Sequence, residues 1–548
     1  MSRIFPLTFP RIRKKERSAP APIKDRHPRR LGTYFRDRRL PGPRRTRKVA
    51  WSILLFTAFM YGASFTFLPP SFIAPLLVPL LVMVGMVIWA LPKARPSTGA
   101  LEFLFFGFFI ALVCWPNYLA IALPGLPWIT LARIFCIPAA IILLYNLSVS
   151  KDFLGEISQT ANEISLPVKL LLAFVGIQFL TVFFSRDPFD SFQKFIIDQF
   201  YWTSIFFIAV YEFRKPGKIS SWAVILLVMA VFLSAIGFWE WRLHHVPWAG
   251  HIPSFLKIDD DSVMRTLAGA SRAGTGIYRV QSTYGTSLGF AEYLALGTPF
   301  WLYFVFEARR FWVKAACTAA IPILFVSILN TNARLGMVGF FLSVLLYLGL
   351  WAIQRWRTEQ KSIIGPALTL AYPALAAAFF AATMFVGRLH TIVWGGGNTN
   401  ASTEARIEQV HAGLPLILHW PFGYGVGQGA QVLGYTNGEG TLTIDSYYLN
   451  VGLEYGVIGF LIYYGLFAVA AVYGIREGLR AQSRELKLLL PLAIALCVFL
   501  VTKSVYAQEP NHPIAFMILG AVCALAYRNR CELQSAEHPL RARAQDSR

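Results

Sequence analysis

In a chain of 548 residues, a content of 55% hydrophobic, 15% aromatic and only 15% charged residues excludes an ordinary soluble globular protein and points to a polytopic membrane protein. The formal charge of +22 would suit a nucleic-acid binder if it were spread over a surface. Residues 1–48, however, hold 17 Lys or Arg against 3 acids, so +14 of the +22 sits in one Pro- and Arg-rich stretch. That stretch has no apolar face and reads as a disordered cytoplasmic tail, drawn to anionic membrane lipids rather than to nucleic acid.

A bilayer span needs about 20 mainly apolar residues. Blocks of this kind recur near 50–68, 72–91, 102–122, 130–148, 168–184, 199–212, 220–239, 286–306, 312–330, 335–354, 363–386, 448–474, 486–503 and 511–528. The expected fold class is therefore all-α, with about 14 transmembrane helices over residues 49–528 and a second basic tail over 529–548. Lys and Arg set the orientation. If the N-terminus is cytoplasmic, the inside connections carry Lys93 and Arg95, Lys151 and Lys169, Arg214, Lys215 and Lys218, Arg309, Arg310 and Lys314, Arg355, Arg357 and Lys361, then Arg476, Arg480, Arg484 and Lys487. The short outside connections 69–71, 123–129 and 504–510 carry none, although Arg133 and Lys503 lie in flanking helix ends. Both termini are then cytoplasmic, and two long loops, 240–285 and 387–447, face outward. Cys114, Cys136, Cys317, Cys497 and Cys523 lie in apolar blocks and Cys531 in the C-terminal tail, so no metal or disulfide spacing is present.

The groups able to do chemistry cluster around the outer connections. Arg279 precedes the eighth span, and Glu292 lies about two turns into it, where an ionisable group is costly and either serves a function or is neutralised, for instance by Arg279. Arg334, in LNTNARLGMVGF, falls at the outer N-terminus of the tenth span. Alone it reads either as a snorkelling interface residue or as an anion binder, since free N–H groups and a guanidinium fork both suit phosphate oxygens. Arg406 lies in a stretch predicted as a helix over about 404–418, capped by Ser402 or Thr403. Ile407, Val410 and Leu414 would form its apolar stripe along the membrane surface. Asp445 stands at the outer start of the twelfth span as an N-cap, a general base, or both. His411 and His419 have no acidic partner at metal spacing. The glycines of WPFGYGVGQG lack the Lys and Ser or Thr of a phosphate loop and read as turns.

Four stretches, YRVQSTYGTSLGFAEYLAL (278–296), LNTNARLGMVGF (329–340), EARIEQVHAGLPLILHWPFGYGVG (404–427) and IDSYYLNVGLEYGVIGF (444–460), resemble the O-antigen ligase and polymerase superfamily of bacterial inner-membrane proteins. The resemblance implies a helical fold like the C-type glycosyltransferases, with an outer-face site that transfers or polymerises undecaprenyl-diphosphate-linked glycan. It implies that Arg279, Arg334 and Arg406 hold the diphosphate and that Asp445 takes the acceptor proton. Glu292, His419 and Tyr447 are the further residues expected to meet substrate. No cofactor or metal is expected, because positive groups aimed at the leaving diphosphate can carry its charge, and polysaccharide-assembly proteins are possible partners. Ligases of the superfamily commonly have His-Asn where this chain has Asp445-Ser446, which favours polymerase over ligation to lipid A core. A transporter or flippase for an anionic solute or lipid-linked glycan is the alternative, although its polar groups would sit at mid-membrane rather than at one face.

Overall fold

The computed structural model describes residues 93–122, 128–258, 278–358, 363–387, 400–436 and 440–546, with a few isolated positions besides. The chain divides into two compact units, Met1–Lys93 and Ala94–Arg548. Almost all of the first, including the basic tail and the expected spans at 50–68 and 72–91, lies outside the described residues.

In the second unit, helix α1 (Thr98–Cys114) leads through strands β1 (Leu119–Ile121) and β2 (Ile129–Thr130) to α2 (Leu131–Val149), α3 (Lys151–Glu163) and α4 (Ser165–Val182). Helix α5 (Pro188–Asp198) passes through a π-helical turn, Gln199–Thr203, into α6 (Ser204–Phe213), and α7 (Lys218–Leu243) precedes strand β3 (Leu256–Ile258). Then come α8 (Ser287–Glu307), α9 (Phe311–Asn330), α10 (Arg334–Thr358), α11 (Ile364–Phe385), α12 (Asn400–His419) and the short α13 (Gly429–Leu433). Helices α14 (Tyr447–Gly478), α15 (Leu489–Lys503) and α16 (His512–Asp546) complete the unit.

Among the described residues, nine helices are long and apolar enough to cross a membrane, and the protein is a multi-pass membrane protein. The other three expected spans within this unit are also helical but differ in kind. Helix α1 has 17 residues, the 199–212 block is the second half of the broken α5–α6 helix, and α8 carries Glu292, Thr298 and Pro299 yet is buried along most of its length. Helices α15 and α16 are enclosed with it, whereas α11 lies at the periphery with very few buried residues. The main core is one large cluster with ring contacts such as Phe109 on Trp222 and Phe467 on Tyr463 and Phe516, and smaller clusters lie beside it.

The helical fold carries one small sheet. Strands β2, β1 and β3 form a small antiparallel sheet, in that order, with Ala120 opposite Thr130 and Leu119 opposite Ile258. Strands of two or three residues are too short to show alternation in sequence. The sheet ties the 240–285 loop to the connection before α2, and Trp248 Nε1 adds a bond to the Tyr118 hydroxyl at 2.8 Å.

Polar networks lie at the two ends of the helices. At one end, Glu477 accepts from Arg530 Nε (3.2 Å) and Asn529 Nδ2 (3.1 Å), Arg528 meets Glu485 at 3.0 Å, and Lys487 meets Glu307 at 3.1 Å. These residues fall in or beside connections predicted as inside. The connections predicted as outside meet one another at the opposite end.

Candidate functional site

The segment that carries Arg279 is held by a buried carboxylate. Glu240, at the C-terminal end of α7, accepts from the Tyr278 hydroxyl (2.8 Å) and from the backbone N–H groups of Gln281 (3.0 Å) and Ser282 (2.6 Å). Thr283 Oγ1 donates to the Val113 carbonyl at 2.7 Å, so the chain is pinned on both sides before Thr286 caps α8. Arg279 is thereby laid against the α9–α10 turn, where its Nε donates to the Thr331 carbonyl at 3.1 Å and the adjacent Val280 N–H donates to Asn330 at 3.1 Å.

Three residues beyond Thr331, Arg334 begins α10. The turn is tight because Asn332 adopts a left-handed conformation (φ 52°) and Thr331 Oγ1 accepts the Ala333 N–H at 3.3 Å. Gly336 N–H, in the first turn of α10, donates to the Tyr506 hydroxyl at 2.8 Å. A helix N-terminus with a guanidinium at its first position is a favourable place for an anion.

Tyr506 comes from the 504–510 connection and is 2% exposed. Burial pushes its phenol well up in pKa, and Glu292 adds to this, while the Gly336 N–H and the charges of Arg279 and Arg406 oppose it. One hydroxyl thus feels both arginines, which come from segments more than a hundred residues apart. Ser504, two residues earlier, accepts at its carbonyl from Ser446 Oγ at 2.8 Å. Ser446 in turn caps α14 by accepting the Leu449 N–H, and beside it Asp445 pairs with Arg406, Nε to Oδ2 3.9 Å. The Asp445 N–H donates to Gln409 Oε1 at 2.9 Å, and Gln409, 1% exposed, lies one turn along α12 from Arg406. An unbroken series of contacts therefore joins the segments of Arg279, Arg334, Arg406 and Asp445.

Helix α12 starts at Asn400, so Thr403, a candidate cap, is inside it. Its stripe of Ile407, Val410, Leu414 and Leu418 is exposed at 44–66%, while Gly413 packs on Leu449 and Leu433. The following WPFGYG loop makes more than turns. Helix α14 is broken at Gly456, whose φ of 69° and ψ of −174° are non-helical. The loop fills the break: Tyr424 and Gly425 N–H groups donate to the Leu453 and Glu454 carbonyls, and Val457 N–H donates to the Pro421 carbonyl.

Glu292 and Tyr447 take other partners. Glu292 is fully buried and pairs with Lys503 (3.0 Å), not Arg279, with Thr502 Oγ1 and Asn511 Nδ2 also at 3.0 Å. Lys503 thus enters the core although it flanks an outer connection, and it is the partner that charge placement alone did not reveal. His419 ends α12, 13 residues from Arg406, or about 20 Å at the helical rise. Tyr447 is buried against His512, ring centroids 4.5 Å apart. Asp445 is beside the cap of α14 rather than being the cap. Among the described residues, no three His, Cys, Asp or Glu side chains converge as a metal site requires. Sequence reasoning missed Tyr506, Glu240, Gln409 and Ser446, all of which act through tertiary contacts. The one signal open to it was an unexplained acid, Glu240, at a span end.

Residues 318–464 match the family model described as O-Antigen ligase, in agreement with the superfamily resemblance of the sequence. The match includes Arg334, Arg406 and Asp445 and stops short of Arg279 and Tyr506. No curated protein matches the chain.

Proposed function

We propose that this chain, with its O-antigen ligase-type domain over residues 318–464, is an inner-membrane glycosyltransferase that polymerises undecaprenyl-diphosphate-linked oligosaccharide at the outer face. Support comes above all from the contact series that brings three arginines and one carboxylate from four separate segments to one end of the helices. In the reaction, an acceptor hydroxyl oxygen attacks the anomeric carbon of the donor glycan from the side opposite the diphosphate. The anomeric C–O bond breaks and the electron pair leaves on the lipid diphosphate, through an oxocarbenium-like state. Arg279, Arg334 and Arg406 take up the charge that grows on the leaving group, aided by the N-terminus of α10. Asp445 accepts the hydroxyl proton, and Arg406 holds its carboxylate in place. Because the new bond forms opposite the old one, the anomeric configuration inverts. Asp445-Ser446 in place of His-Asn favours a second lipid-linked glycan over lipid A core as acceptor.

The test is gel analysis of surface glycan in a deletion strain complemented with Arg279→Lys, Arg334→Lys or Arg406→Lys, with protein level followed by immunoblot. Each variant keeps the charge but loses the planar fork. Loss of long chains with normal protein level is the expected result. Single-repeat chains on the acceptor would identify a polymerase, and absence of any glycan on lipid A core would identify a ligase. Full-length glycan from all three variants would refute glycosyl transfer by this site.

A further inference from the structure

A cavity of about 280 Å³ with both polar and apolar lining lies between α1, α2, α5 and the 504–510 connection. We propose that it binds one uncharged sugar ring of the glycan, an inference that rests on the transferase reading and names a subsite for it. Its cations are already engaged. Lys194 Nζ bridges Glu509 Oε2 at 2.5 Å and Asp198 Oδ1 at 3.6 Å, and Arg133 donates to the Trp128 carbonyl. A phosphate would find neither cation free of a partner and would meet both acidic side chains at close range. A hydroxyl-rich neutral ligand is matched instead, because it needs donors and acceptors in equal measure.

One acceptor is still unmet. Asn117 has its amide nitrogen anchored on the Leu112 carbonyl at 2.6 Å, and its buried Oδ1 accepts no hydrogen bond from any described residue. A buried acceptor without a donor is rare in native proteins, and a small rotation of the Asn117 side chain would be needed to present this one to the cavity. The lining also contains Tyr201 on the π-helical turn, a local distortion of the kind that recurs at functional sites. The position is also apt. Glu509 in this cavity and Tyr506 at the arginines are three residues apart, at most about 10 Å along the chain. The hydroxyl of Tyr447, two residues after Asp445, reaches Glu509 Oε1 at 3.5 Å. A sugar seated here is within reach of the proposed reaction centre and would select which repeat is used.

The experiment uses the full-length protein in lipid nanodiscs, with methyl glycosides of neutral hexoses and N-acetylhexosamines as probes in saturation-transfer NMR and inorganic pyrophosphate as competitor. At least one glycoside should bind saturably. Ala132→Leu, which fills the cavity from α2, and Asn117→Asp, which keeps its size but adds a charge, should each weaken that binding at least tenfold with an unchanged unfolding temperature. Pyrophosphate should not displace the probe. Absence of glycoside binding, equal binding by both variants, or displacement by pyrophosphate would overturn the subsite. The two readings fail separately. Glycoside binding with full-length glycan from all three arginine variants removes the transferase reading alone, whereas glycan lost in those variants without glycoside binding removes the subsite alone.

Discussion

Asp445 and Ser446 divide between them the two tasks that the sequence offers to Asp445 alone. Ser446 accepts the Leu449 N–H and caps α14, which leaves the Asp445 carboxylate directed at Arg406. Ser446→Ala should therefore cost about 1 kcal/mol, the usual loss of a cap, as a modest fall in unfolding temperature with glycan synthesis retained. Asp445→Asn should leave the unfolding temperature unchanged and remove long-chain glycan, because an amide cannot take the proton. The reverse pattern would show that Asp445 is structural. A second residue-scale test concerns Glu292 and Lys503, both wholly buried and 3.0 Å apart. Lys503→Met alone should destabilise by about 3–5 kcal/mol, since an unpaired buried carboxylate remains. Combining it with Glu292→Leu should recover most of that loss, and thermal unfolding of both variants in detergent decides whether the pair is structural.

At the scale of elements, the loop that follows α12 and the break in α14 depend on each other. A Cβ at Gly456 would lie 2.0 Å from the Pro421 carbonyl oxygen and would have to adopt φ 69°, so Gly456→Ala should destabilise by more than about 1 kcal/mol. Gly465, in the same helix with nothing within 4 Å, is the matched control. Gly465→Ala should be neutral or stabilise by up to about 1 kcal/mol. Equal unfolding temperatures for the two variants would mean that the break is not needed. Helix α12 shows how an element reads correctly from its pattern yet incompletely. The spacing of Ile407, Val410 and Leu414 identified the exposed apolar stripe, because a 3.6-residue period is a local property. It said nothing of Gln409 on the other face, whose part is defined by α14.

For the molecule as a whole, alternation of connections between two ends is the testable property. Single cysteines in a cysteine-free background, at exposed His411 and at Gln482, should react with an impermeant thiol reagent from opposite sides of the membrane, position 411 from outside. Reaction from one side would break the alternation. The helical class and the location of most spans within the described unit were legible in the chain, as was the presence of Arg334, Arg406 and Asp445 at span ends or loops, while their joining into one site was implied by the superfamily resemblance alone. Apolar length and basic flanks are imposed locally by the bilayer, and charged residues at span ends are conspicuous because hydrocarbon excludes them. The partners were not legible. Lys503 for Glu292, Tyr506 for Gly336, Glu240 for the Arg279 segment and Ser504 for Ser446 come together across sequence separations of 38 to 211 residues. Such pairings leave no periodic trace, since they are decided by which helices pack side by side. Composition and spacing therefore determined that arginines stand at span ends of a membrane protein, and packing alone decided which groups hold each of them and which partners Glu292 and Tyr447 take.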